Sequence, residues 1–291
     1  MSSAVTQDSR PSPRKGGRRA RKIIVIVVVL LGLLVGADFA AAAFAEHTVS
    51  QKAREQLGLS EDPAVTIHGF PFATQAISGD YGHITVSADG VPVEDILSDV
   101  SIRAELRNVT APLSDLTSGN VDNINIGDLE GQITLKASDI AKVKPLDNIE
   151  DLRIDPSSES YVRNGEGTDS DDSEGTSEEE DDKKDSTAGV RISGKLQIAG
   201  EKVEIFAFAM IELQDTTIRI TPHRLQFGND KETTVVPAEV QERLLPNFEA
   251  DISTGDLPFT VTPTAIRVDP GSLTISGEAK DVTFAGASSS R

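Results

Sequence analysis

The chain has 291 residues, a formal net charge of −19, no cysteine and no tryptophan. That length allows one large domain or two small ones. Without thiols, disulfides, thiolate chemistry and cysteine-ligated metals are excluded. The acidic bulk argues against nucleic acid, whose phosphates call for clustered Lys and Arg.

The charge is unevenly placed. Residues 1–22 carry seven basic groups and one acid, a local net of +6 that leaves −25 for the rest. Ile23 to Ala45 follow, 23 residues with a single charge, Asp38. As a helix this run is ~34 Å long, enough to cross the ~30 Å hydrocarbon core. Its β-branched start favours a strand in water, but an isolated strand in lipid leaves its backbone unpaired, so helix is predicted. The basic flank places the N-terminus in the cytoplasm and the other 246 residues outside. A second reading is a cleaved leader, because Ile23 to Ala37 is a run of 15 residues and Ala43-Phe44-Ala45 has the form of a cleavage site. The uncleaved anchor is preferred, with Asp38 near its outer end as a boundary residue. The predicted division is a basic tail at 1–22, an anchor at 23–45, an extracytoplasmic domain at 46–284 and a disordered tail at 285–291.

Ala45, Val49, Ala53 and Leu57 make an apolar stripe, so a helix is predicted to continue beyond the membrane. Gly58 is placed to stop it, with Leu59 folding back on the last turn. Phe70 and Phe72 bracket Pro71, which cannot donate to a sheet ladder and belongs at an edge. In extended backbone both rings project to one side. Strands are read at 83–87, 100–106 and 132–137, each alternating and half buried, the pattern of an antiparallel sheet with one wet face. Ser138 is placed to cap a short helix.

Asp147 to Asp185 holds 16 acids against 4 bases. It cannot bury enough apolar surface to offset its ordering entropy, and about 157–188 is read as a disordered insertion. Its spacing does not fit a calcium loop. Strands resume over 190–198. Lys202 to Gln214 then alternates Val203, Ile205, Ala207, Ala209, Ile211 and Leu213 on one face with Phe206, Phe208 and Met210 in the middle of the other. Both faces need cover, from helices, from a second sheet, or from bound acyl chains. A strand at 216–221 and a helix at 237–248 follow. Pro270-Gly271 predicts a hairpin of 265–269 with 272–276, and Leu257-Pro258-Phe259 repeats the earlier Phe-Pro device.

Four histidines, at 47, 68, 83 and 223, show no metal-ligand spacing, and neither HExxH nor GxSxG occurs. No catalytic residue, metal or cofactor is assigned, and an enzyme is not expected.

The motifs taken in order carry a resemblance. A basic tail and single anchor lead to Ala53–Leu57, GFPF at 69–72 with Gly79-Asp80-Tyr81, GQITLKASDI at 131–140, LPF at 257–259 and GSLTISGEAKDV at 271–282. This order resembles the LmeA-like, or lipomannan elongation factor A-like, phospholipid-binding proteins of actinobacterial cell envelopes, over about 20–145 and 188–284. The acidic insertion departs from that pattern. The resemblance implies an α+β fold in which a curved, mostly antiparallel sheet wraps one or two helices, similar to tubular lipid-binding domains. It further implies an extracytoplasmic lipid binder supporting lipoglycan or envelope maintenance. The expected partners are phospholipid or a polyprenyl-linked lipid and the membrane. Candidate lipid contacts are Phe206, Phe208 and Met210 as lining, with Phe70, Phe72 and Phe259 at the rim. The alternative is an envelope scaffold recruiting a partner or divalent ions through its acidic loop.

Overall fold

One helix, α1 (Gly17–Leu57), runs unbroken from the basic flank to its stop, 41 residues. It is long and apolar enough to cross a membrane. Gly58 takes a left-handed φ of 64°, and the Leu59 amide donates to the Arg54 carbonyl at 3.1 Å, ending the helix as its sequence predicts. The computed structural model describes residues 17–93, 96–118, 120, 123–165, 186–198, 200–214, 217–228, 233–253 and 261–283. The first sixteen residues, the centre of the acidic insertion, Phe259 and the tail from 284 lie outside the described residues.

Two antiparallel sheets follow. The first orders β1 (Ala64–His68), β2 (Asp80–Val93), β3 (Leu97–Thr110), β4 (Asn125–Lys136), β12 (Ser272–Thr283) and β11 (Thr262–Asp269). The second orders β10 (Ala250–Ser253), β8 (Thr217–Gly228), β7 (Glu201–Gln214), β6 (Thr187–Ile198) and β5 (Glu150–Pro156), with β9 (Thr233–Val235) beside β8. Short helices join them: α2 (Phe72–Ser78), α3 (Leu113–Ser118), α4 (Ala137–Ile140), α5 (Glu159–Asn164) and α6 (Ala238–Leu244). This is the α+β class that the resemblance implies. The Pro270-Gly271 hairpin forms as expected, pairing β11 with β12.

The concave face of the first sheet does two jobs. At one end Val100, Leu135, Leu273 and Ile275 pack against Ile192, Ile205, Ala207 and Ile220 of the second sheet. At the other end Ile84, Val109, Ile126 and Ala279 pack with Ala45 of α1. A crease lies in the α1 end. Ile84, Leu106, Leu129 and Ala279 share the inner face with Tyr81, Val109, Ile126 and Val282, three residues away rather than two. The skipped positions are Gly82, Asn108, Gly127 and Asp281, aligned across four strands. Asn108 and Asp281 take left-handed φ values of 55° and 50°, which short polar side chains tolerate better than others. Because these four strands change phase at the same row, pairing continues and the sheet bends there.

Two local expectations are corrected. Ser138 caps nothing: Lys136 occupies the cap position of α4 without a side-chain bond. The organising side chain is Asp139, fully buried, accepting from the Ser98 and Asp99 amides at 3.1 and 2.7 Å and from Lys142 Nζ at 2.5 Å. The stretch at about 157–188 is ordered at both borders, where α5 and the start of β6 take up residues expected to be loop.

Burial by itself pushes the Asp139 carboxyl up, but Lys142 and the two amides outweigh it, and its pKa lies below the ordinary value. The unfolded chain therefore takes up this proton first as pH falls. The stabilisation is complete above about pH 4 and is lost as pH drops through the lower native pKa. Urea unfolding at pH 7 and pH 3 should show a larger loss for the wild type than for Asp139→Asn. At the crease, a Cβ on Gly127 would stand 2.9 Å from Asn108 Cβ. Gly127→Ala is expected to cost about 1–3 kcal/mol by overpacking, read as a lowered unfolding midpoint.

Candidate lipid-binding cavity

Side chains three, four, seven and eight apart share a helix face, and α1 turns one such face to the sheet and its connections. Asp38, Ala42, Ala45, Glu46, Val49 and Ser50 lie along it. Glu46 Oε1 accepts the Ile67 amide of edge strand β1 at 2.7 Å, and Ser50 Oγ donates to the Pro63 carbonyl at 2.5 Å. These bonds satisfy backbone groups that an edge strand would otherwise leave open. Ala45, small and buried, lets the helix approach closely.

Beyond Ala45 the fit loosens and a cavity of about 140 Å³ remains between helix and sheet. Its walls are aliphatic throughout: Val49 from α1, Val65 from β1, Val86 from β2, Leu106 from β3, Leu116 from α3 and Ile126 from β4 are among them. Val49, Val65, Val86 and Leu106 are only half-buried, so the space is not sealed. An aliphatic void of this size has nothing to hold water and admits a hydrocarbon of about six carbons. Left empty it costs about 3 kcal/mol in lost packing. The Tyr81 hydroxyl, in the same apolar cluster, is buried and has no hydrogen-bond partner among the described residues, and burial pushes its pKa up.

The residues expected to line a lipid site lie elsewhere. Phe206, Phe208 and Met210 are buried under α5, with Val162 pressed onto them. Tyr161 meets Phe208 edge to face at 5.1 Å, and the Arg224 guanidinium lies 4.3 Å from the Tyr161 ring. The opposite face of β7 is covered by the first sheet. Protein therefore covers both sides of β7: of the covers that the sequence allowed, a helix lies on one face and a second sheet on the other. Phe70 and Phe72 also part company. Phe72 opens α2 and turns into the core, whereas Phe70 stays outside and stacks on Phe39 at 6.0 Å. Phe259 lies outside the described residues. His68 and His83, read from sequence as separate, are register partners in β1 and β2 and stack at 4.3 Å. Among the described residues no group of three or more His, Asp or Glu is placed to hold a metal.

The helix, held in the hollow of a creased antiparallel sheet, thus stands over an aliphatic cavity with room for part of a hydrocarbon chain. The chain belongs to the LmeA-like phospholipid-binding family, which it matches over residues 36–278. No curated protein and no solved structure matches it.

If the Phe206 face is interior, loosening α5 should cost stability and leave lipid binding alone. Tyr161→Ala is expected to destabilise by about 2 kcal/mol. Lipid extracted from the purified variant should equal that from the wild type.

Proposed function

We propose that this chain is a membrane-anchored, extracytoplasmic binder of phospholipid or a polyprenyl-linked lipid. It receives part of a hydrocarbon tail between α1 and strands β1 to β4, in support of envelope lipid or lipoglycan maintenance. The observation that carries the reading is the all-aliphatic cavity at the junction of the apolar helix and the sheet. Membership of a phospholipid-binding family supports it. The Arg and Lys residues before Ile23, against an acidic remainder, support a cytoplasmic N-terminus.

The cavity sets the scale of binding. About six buried carbons contribute about 5 kcal/mol at ~0.8 kcal/mol per methylene. That suffices to hold the end of a tail and falls well short of enclosing a whole lipid. Recognition by an aliphatic wall depends on chain volume and saturation rather than on head group.

Val86→Phe fills the cavity from β2 with hydrocarbon of its own. Full-length protein purified in mild detergent should lose most of its co-purifying lipid in native mass spectra, with no loss of thermal stability. A wild type that carries no lipid and takes up none from vesicles, or a variant that retains the same amount, would refute the assignment.

A further inference from the structure

Three observations near the middle of α1 are not used by the cavity. Asp38 interrupts the apolar run, yet both of its oxygens accept backbone amides, from Phe72 and Ala73 at the start of α2, each at 2.8 Å. From Gly69 to Gly79 the chain has no charged side chain, and while Phe72 turns into the core, Phe70 and Ile77 face outward. Phe70 is 59% exposed and Ile77 88%, beside Phe39 at 63%. The third observation is length. Counted from Ile23, a hydrocarbon layer of ~30 Å takes ~20 helical residues and ends near Ala42. Asp38 lies four residues short of that, about 6 Å inside the boundary.

We propose that α2 and the Gly69–Pro71 segment before it form a collar seated in the outer leaflet of the bilayer that α1 crosses. The occupant of this apolar surface is the lipid surface itself, because α1 is continuous through it and α2 is bonded to α1 at that depth. Interfacial helices sit ~5–10 Å into the boundary between head groups and chains, which agrees with the depth of Asp38. A carboxylate there requires fixed partners, and the two amides supply them. They also close the first turn of α2, whose donors would otherwise face lipid unpaired. Val49, at the cavity, is seven residues past Ala42 and so ~10 Å beyond the hydrocarbon boundary. The collar thereby holds the cavity at the head-group surface.

The inference rests on the reading of α1 as an uncleaved anchor. Cleavage after Ala45 would remove Asp38 and leave the Phe72 and Ala73 amides without their acceptor.

The chain contains no tryptophan, so Ile77→Trp and Phe70→Trp each give a single reporter, and Val235→Trp, at an exposed position on β9, gives a reference. The full chain is reconstituted into phosphatidylethanolamine–phosphatidylglycerol vesicles doped with lipid brominated on its acyl chains. Emission from positions 70 and 77 is expected to be blue-shifted and quenched several-fold more by bromolipid, and several-fold less by aqueous iodide, than emission from 235. Equal access of iodide to all three positions overturns the collar. So does blue-shifted emission that bromolipid does not quench, because the side chains would then lie against a second copy or another protein. Native mass spectra of the same preparations separate the two proposals. Lipid retained while position 77 is in water rejects the collar and keeps the cavity. An embedded position 77 with no co-purifying lipid keeps the collar and rejects the cavity.

Discussion

One face of α1 must hold the sheet at the C-terminal end of a helix that continues, without a break, from a run apolar enough to cross a membrane. Asp38, Glu46 and Ser50 are the polar side chains on that face. Each is spent on a backbone group of the sheet or its connections: the Phe72 and Ala73 amides, the Ile67 amide and the Pro63 carbonyl. Hydrogen bonds to a charged acceptor contribute about 1.5–3 kcal/mol each, and here they also fix register. A helix held only by Ala42, Ala45 and Val49 could slide along the sheet. One held at residues 38, 46 and 50 cannot move by a turn without orphaning several donors at once. The relation of the apolar helix to the sheet is therefore set by bond geometry, and the cavity inherits its position from it.

The cavity lies where the creased sheet faces the unbroken helix. The row Gly82, Asn108, Gly127, Asp281 turns both sides of the crease toward α1, so apolar residues on either side reach the same helix. Close contact is made at Ala45, where the helix carries a methyl. At Val49 the two surfaces have begun to separate, and α3 supplies Leu116 to close only part of the gap. Elsewhere the second sheet presses on the concave face of the first with its own aliphatic side chains.

Much of this organisation could be read from the sequence. The apolar helix, its stop at Gly58, the alternating strands and the Pro270-Gly271 hairpin each depend on local pattern, and local pattern is what a sequence displays. The site was not legible, for a physical reason. Its lining is one or two aliphatic residues from each of several elements, and in every strand those residues look like ordinary inward-facing positions. The strand that stood out, β7, is apolar on both faces because it is central, covered by a sheet on one side and α5 on the other. α5 was hidden in turn, because Ser158, Tyr161 and Val162 sit at the border of an acidic run whose composition argues for disorder. The Ser158 cap, accepting from the Tyr161 amide, and the buried Val162 give it away only in three dimensions. The crease left a trace, the step from Leu106 to Val109 where alternation skips a residue, but its meaning depends on the same skip recurring in three other strands.

The size of the cavity constrains how the proposed function can operate. A phospholipid with two chains of about sixteen carbons has about 25 kcal/mol of tail burial to replace on leaving a bilayer. The cavity offers about a fifth of that. A free carrier with such a site would have to bear the remainder as exposed hydrocarbon. A binder fixed to the membrane need not, because most of the tail can stay in the leaflet while one end is lifted into the protein. Anchoring and a small cavity thus belong together. The proposed collar would keep the lift short: were α2 seated below the hydrocarbon boundary, Val49 would stand about 10 Å above it, and a chain end could pass from leaflet to cavity along α1 while the rest of the molecule remained in the bilayer.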